Sequence, residues 1–410
     1  MAKVLSEQWS GDSFRRSIAL FSETAKQQER LQIFSKASNN WREAAELELL
    51  LGNYQEARLN LKRALKIDAS HNYPADKIKT LSILAIVSLK SGKIDRGKIY
   101  LNQAQILIES TNDISAQAMF AFSSAEFYEI QSKFGKALEF YQKSSNLWKE
   151  SGDSRRAAYA LVNCAYAYMT LGDPLSGLNK VKEAEIHFQE INDTRGLAGS
   201  RIASGHLYNA MDEKQLALDS YKTAEKLFPA DIGFLEKARL YNGIGLIYED
   251  YGEWKSSFDY RLKALELFRQ ENYPYGQIAT LPSLISLSNR INDPVSATEY
   301  FFETQKLSAR LNDTYYLAIA LRLMGDYHFK KFSNSKALDL YLKSLKTLKK
   351  TGLKYEIAYI EDKLGTIYER LGERQKAVNY YESSLEKSRS ILNKFTEANT
   401  TYNLSRIKSL

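Results

Sequence analysis

The chain has 410 residues, 44% hydrophobic and 26% charged, with one cysteine, 6 prolines and 20 glycines. This composition excludes a disordered chain and a disulfide scaffold, and the length exceeds one ordinary core, so several domains or a repeat array are expected. The formal charge of +8 lies at the end of the chain, where residues 330–410 carry 17 basic and 9 acidic groups while the rest is balanced. No apolar run is long enough to cross a bilayer, and the opening MAKVLSEQWSGDSFRR has no apolar stretch before its charges. A signal peptide and a membrane partner are therefore not expected, and the cytoplasm is the expected compartment.

Residues 12–34, DSFRRSIALFSETAKQQERLQIF, have the apolar spacing of one isolated helix. From there the chain repeats at a constant period, without insertion or deletion. One turn falls at Gly52, Gly92, Ser132, Gly172, Asp212, Gly252, Asn292, Phe332 and Gly372. A second falls half a unit later, near Asn112, Gly152, Asn192, Asn272 and Asn312. Gly, Asn and Asp tolerate the left-handed conformation that ends a helix, so each unit is predicted as two helices joined by two turns.

Within this frame three positions are small or bulky in a fixed order. Seven residues before the first turn stands a small site: Ala45, Ala85, Ala125, Ala165, Gly205, Gly245, then Ile285, Gly325 and Gly365. Nine residues after the turn stands a large one, among them Leu61, Tyr141, Tyr221, Phe301, Tyr341 and Tyr381, and three further on a small one, Ala64 to Ser384. Small residues let two helices approach, and the large one fills the gap between them. The seventh unit departs, with Ile285 in the small site, Ser288 where others carry tyrosine, and Pro282 inside the first helix. Proline is tolerated in the first helical turn, so this helix is expected to start near Ala279 or to kink, as a hinge or as a drifted repeat.

The frame resembles the tetratricopeptide repeat, TPR, through Trp41, Ala44 and Ala45 in one unit and Leu364, Gly365 and Tyr368 in another. The resemblance implies an all-α TPR solenoid, a right-handed superhelix of antiparallel helix pairs. It would have a partial capping repeat over 1–37, nine pairs over 38–395 and a capping helix over 396–410. The long unit is similar to those in the arrays of kinesin light chains and of bacterial CHAT-protease-associated proteins. The resemblance also implies that first helices line a concave groove. The Lys/Asn/Arg set with which chaperone-tail adaptors grip a carboxylate is absent.

No catalytic constellation is found. Cys164 falls in a core phase, the four histidines show no metal-ligand spacing, and the GIG at Gly243–Gly245 follows no strand, so no metal or cofactor is expected. Function is expected on the surface, as a protein- or peptide-binding scaffold. The alternative is a sensor whose curvature controls a CHAT-type protease or another effector. Nucleic-acid binding by Lys343, Lys346 and Lys350 is the less favoured reading, since a solvated helix face explains them. With the small site counted as position 8 of the first helix, positions 5, 6 and 9 are expected to face the groove, beginning with Arg42, Glu43 and Glu46. The candidate binding residues are Asn163, Tyr166, His206, Asn209 and Asn242, with Arg322 and Asp326 further on. Amides both donate and accept, which suits the backbone of an extended peptide.

Overall fold

The computed structural model describes residues 2, 11–109, 111–228, 234–311, 313–348, 354–390 and 394–409. Among them every regular element is a helix. Two compact units divide the chain, Met1–Asp250 and Tyr251–Leu410. The first holds α1 (Gly11–Arg30), α2 (Phe34–Leu50), α3 (Tyr54–Ser70), α4 (Pro74–Lys90), α5 (Ile94–Ile108), α6 (Ile114–Ile130), α7 (Phe134–Glu150), α8 (Ser154–Thr170), α9 (Pro174–Glu190), α10 (Thr194–Ala210), α11 (Lys214–Leu227) and α12 (Phe234–Asp250). The second holds α13 (Trp254–Gln270), α14 (Pro274–Arg290), α15 (Pro294–Leu311), α16 (Tyr315–Lys330), α17 (Asn334–Leu348), α18 (Lys354–Arg370), α19 (Arg374–Ser390) and α20 (Lys394–Ser409). Even-numbered helices are the first helices of the repeats and odd-numbered ones the second. No described helix is long and apolar enough to cross a membrane.

The helices stop where the sequence says they should. A residue with positive φ stands at 32, 52, 72, 92, 132, 152, 172, 192, 212, 252, 272, 292, 332 and 372, a spacing of 20 or a multiple of it. Most of them close their helix in the same way: after α2, Gly52 N–H donates to the Leu49 carbonyl at 3.1 Å and Asn53 N–H to the Glu48 carbonyl at 2.9 Å. Such paired bonds satisfy carbonyls that the last turn leaves open. Asn112 stands outside that series, and Asn312 lies outside the described residues. Asp153, Asp173, Asp193 and Asp293 then start the next helix by accepting from the backbone N–H of Arg156, Ser176, Gly196 and Ser296 at 2.9–3.1 Å.

The small and large sites interlock. Tyr141, Tyr221, Tyr341 and Tyr381 are fully buried, and burying a side chain of this size contributes about 1.5–3 kcal/mol. Tyr141 packs beside Ala125, whereas against the other three rings the partner site is glycine and contact requires it. A Cβ on Gly205 would lie 2.3 Å from the Tyr221 ring, one on Gly325 2.7 Å from Tyr341, and one on Gly365 2.6 Å from Tyr381. Where the last small site is serine, its hydroxyl is not left unsatisfied in the core. Ser144, Ser344 and Ser384 donate to the carbonyls of Ala118, Ala318 and Ala358 at 2.9, 2.7 and 2.7 Å.

At the chain ends, α1 packs Phe14 and Phe21 against Ala44, Leu47 and Leu51, and α20 packs Leu404 and Ile407 against Ala377 and Tyr381. The seventh repeat differs from expectation. α14 starts at Pro274, not near Ala279, and runs through Pro282. Pro274 takes the first-turn position that proline suits, which moves the start toward the N-terminus. Ile285 is fully buried against Ala297, Phe301, Ala320, Leu321 and Met324, so its extra bulk is accommodated in a cluster of its own.

Candidate peptide-binding surface

Which side of the array faces inward is decided, within Met1–Asp250, by one ion pair. Arg156 on α8 donates from Nη2 to both carboxylate oxygens of Glu46 on α2, at 3.3 and 3.1 Å, across 110 residues. First helices three repeats apart meet only if the bend closes on their side. The Glu46 carboxylate, more than anything else, raises the Arg156 pKa against the opposing effect of burial, and the guanidinium also lies 5.0 Å from the Trp148 ring.

The expected groove phases divide. At position 9, Glu46, Glu126, Tyr166, His206, Asp326 and Thr366 are all half-buried. Positions 5 and 6 are split: Arg42, Ser82, Ile83, Ser123, Ile202, Ala203, Pro282 and Asp362 are buried, whereas Glu43, Asn163, Asn242 and Arg322 are half-buried. The buried ones are covered because first helices of successive repeats pack on one another. Arg42 illustrates the correction. It is buried, pairing with Asp76 at 2.7 Å and donating to the Ser38 hydroxyl at 3.0 Å, beside Asp68, which accepts from Thr80 at 2.6 Å. Burial raises the Asp68 pKa despite these bonds.

On α8, α10 and α12 the nominated side chains share one stretch of the inward side. Asn163 spends one amide hydrogen inside its own helix, on the Tyr159 carbonyl at 2.9 Å. Tyr166 and His206 face each other across neighbouring first helices with ring centroids 6.0 Å apart. Burial pushes the Tyr166 hydroxyl up to about 12, with Arg239 acting in the opposite sense. His206 Nδ1 bonds the Tyr221 hydroxyl at 2.9 Å, and burial pushes its pKa down to about 4, so the ring is neutral near pH 7. Asn209 and Asn242 are half-buried on the same helices. The stretch is polar, aromatic and nearly uncharged.

Arg322 and Asp326 belong to the other compact unit and form a closed set. Arg322 pairs with Asp326 at 3.0 Å and with Glu356 at 2.9 Å, and its guanidinium lies 5.2 Å from the Tyr359 ring. Asp326 also accepts from the Tyr341 hydroxyl at 2.6 Å and the Tyr359 hydroxyl at 3.1 Å. Burial first, then the Asp326 charge, pushes both tyrosines well above their ordinary range. Sequence reasoning gave Tyr341 only a packing role here and missed Tyr359 and Glu356. Asp326 and Tyr341 stand as far apart along the chain as His206 and Tyr221, and that shared separation is the signal that could have found the Tyr341 bond.

Cys164 is fully buried, and burial pushes its thiol up to about 12, which suits a packing residue and not a nucleophile. Among the described residues no group of three or more His, Cys, Asp and Glu could hold a metal ion. Lys343 and Lys346 are exposed, and Lys343 pairs with Asp339 at 2.7 Å; Lys350 lies outside the described residues.

The geometry is that of a TPR-type helical-repeat protein: antiparallel pairs, small sites at the crossings and, within Met1–Asp250, first helices inward. A tetratricopeptide repeat model matches residues 362–394. Solved structures agree in fold. The apo form of the quorum sensor NprR from B. thuringiensis is 14% identical, over 83% of this chain and 98% of that one, with a TM-score of 0.59. A Rap protein complexed with Competence and Sporulation Factor is 15% identical, over 93% and 98%, at 0.58. A STAND signal-transduction ATPase with a tetratricopeptide repeat sensor, from Pyrococcus horikoshii, is 12% identical, over 89% and 55%, at 0.61. No curated protein sequence matches the chain.

Proposed function

We propose that this chain is a non-enzymatic scaffold that binds a protein or peptide segment on the inward side of α8, α10 and α12. The observation that carries the reading is the neutral pair Tyr166–His206, flanked by Asn163, Asn209 and Asn242. Amides and a neutral imidazole match an extended backbone without requiring it to carry charge, and a half-buried tyrosine is a typical anchor of a binding hot spot. Two of the similar folds are of the same kind, a quorum sensor and a Rap protein complexed with Competence and Sporulation Factor. The test is selection of peptides from a random displayed library on the full chain. Asn163→Ala, Tyr166→Ala and Asn242→Ala should each weaken the selected peptide by about 1–2 kcal/mol while Tm holds. Full affinity in the triple variant would place the site elsewhere.

A sensor is the second reading, favoured by the Glu46–Arg156 pair. A segment entering between first helices would act on a contact that spans three repeats, and an effector, a CHAT-type protease among them, could respond to the altered curvature. Solution scattering of the full chain with and without the selected peptide separates the two: an unchanged curve leaves the scaffold and removes the sensor.

A further inference from the structure

The turn after α16 is unlike its counterparts. In the other repeats the left-handed position of this turn is Gly52, Gly92, Ser132, Gly172, Asp212, Gly252, Asn292 or Gly372; here it is Phe332, with φ 58°. A bulky side chain is disfavoured in that conformation, so the backbone gains nothing from phenylalanine. The core gains nothing either, because the ring is 76% exposed. Strain held for no packing return is a feature of functional positions.

The surroundings of the ring are cationic. Lys330, Lys331 and Lys336 are exposed on the same turn and the helix ends that flank it. The Arg370 guanidinium lies 5.1 Å from the Phe332 ring and 4.2 Å from Phe329. None of these four cations pairs with a carboxylate among the described residues; Arg370 donates to the Asn334 amide oxygen at 3.4 Å. Behind them Lys363 covers Phe329 and Tyr359, at 5.6 and 5.2 Å, and Arg322 covers Tyr359. The ring faces of Phe329 and Tyr359 are thus already met by cations. Successive nucleic-acid bases need successive open ring faces, and here Phe332 is the exposed ring, with Arg370 already on one of its faces.

We infer that Phe332, with Lys330, Lys331, Lys336 and Arg370, is a docking knob for an acidic segment of a partner protein that carries an apolar residue between its carboxylates. The ring supplies one apolar contact and the lysines point charges around it, and charge complementarity gives the orientation. The knob lies in Tyr251–Leu410 and does not depend on the peptide site proposed for Met1–Asp250.

The experiment uses the full chain and fluorescence anisotropy with a labelled dodecapeptide of Asp, Glu and Leu, its Lys-for-acid counterpart, and dodecathymidylate. The acidic peptide should bind at least about tenfold tighter than the basic one. Phe332→Gly should weaken it about tenfold and leave Tm unchanged or higher, since glycine suits the turn. Lys330→Glu with Lys331→Glu should weaken it further and remove its salt dependence, while Tyr166→Ala should not affect it. No binding of the acidic peptide, or binding that neither set of substitutions moves, overturns the inference. Dodecathymidylate binding with the same sensitivity to Phe332→Gly overturns the choice of a protein partner, and a lower Tm for Phe332→Gly assigns the ring to the fold.

Discussion

The same packing unit occurs in the two compact units and ends in different electrostatics, neutral in one and charged in the other. In Met1–Asp250, Gly205 admits the Tyr221 ring, whose hydroxyl meets neutral His206. In Tyr251–Leu410, Gly325 admits the Tyr341 ring, whose hydroxyl meets Asp326, itself held by Arg322 and Tyr359. Glycine, ring and spacing are shared, and the residue at the tip of the tyrosine is not. The buried part of the unit is constrained by contact distances of a few ångströms, whereas the position after the glycine is half-buried and can be neutral or charged without disturbing the crossing.

The shared part is the more sensitive to breakage. Gly205→Leu forces atoms into the Tyr221 ring and should cost about 2–3 kcal/mol or more, visible as a fall in Tm. Gly199→Leu, with nothing within 4 Å of its Cβ position, should be neutral or slightly stabilising on the same helix. Equal losses at both positions would contradict the interlock.

The unshared part separates with pH. His206 titrates at about 4 in the fold and at 6.5 when free of it. The unfolded chain therefore takes up the proton first, and stability is lost as pH falls from 6.5 through about 4, by about 2–3 kcal/mol at the lower end. His206→Gln should match the parent near pH 7 and exceed it increasingly toward pH 4 in denaturant titrations. Parallel curves would mean that His206 is not buried as a neutral ring.

A smaller effect sharpens the other side. Asp326→Asn keeps the shape but leaves Arg322 with Glu356 alone and weakens two tyrosine bonds, so a loss of about 1–2 kcal/mol at pH 7 is expected. His206→Gln at the same pH should cost less than Asp326→Asn. The reverse order, read from urea midpoints, would remove the distinction between the open and the closed tip.

Fold and site were legible to different degrees for a physical reason. Turns and small sites obey local rules: Gly52 or Asn192 ends a helix by its own backbone preference, and Gly365 is small because one ring lies against it. Those rules recur along the array, with exceptions such as Ile285 and Phe332, and survive reading from sequence alone. The fate of Arg42 depended on Asp68 and Asp76 arriving from two other helices, and that of Asp326 on Tyr359 from the next repeat. Such pairings carry no periodic signal, so Arg42 read as a groove residue and proved to be buried. Phe332 and its neighbours Lys330, Lys331 and Lys336 were legible as a basic turn, but the fourth cation, Arg370, comes from the following first helix.

The spacing of the left-handed turns has a consequence for how such a chain can change length. Each turn reverses the chain, so an even number of them returns it to the side it left. Within Met1–Asp250, gaining or losing one whole repeat preserves this parity and keeps every later inward helix inward. Gaining or losing half a repeat, one helix with its turn, inverts it: residues such as Tyr166 and His206 would pass to the outer side, although every local helix and turn remained intact.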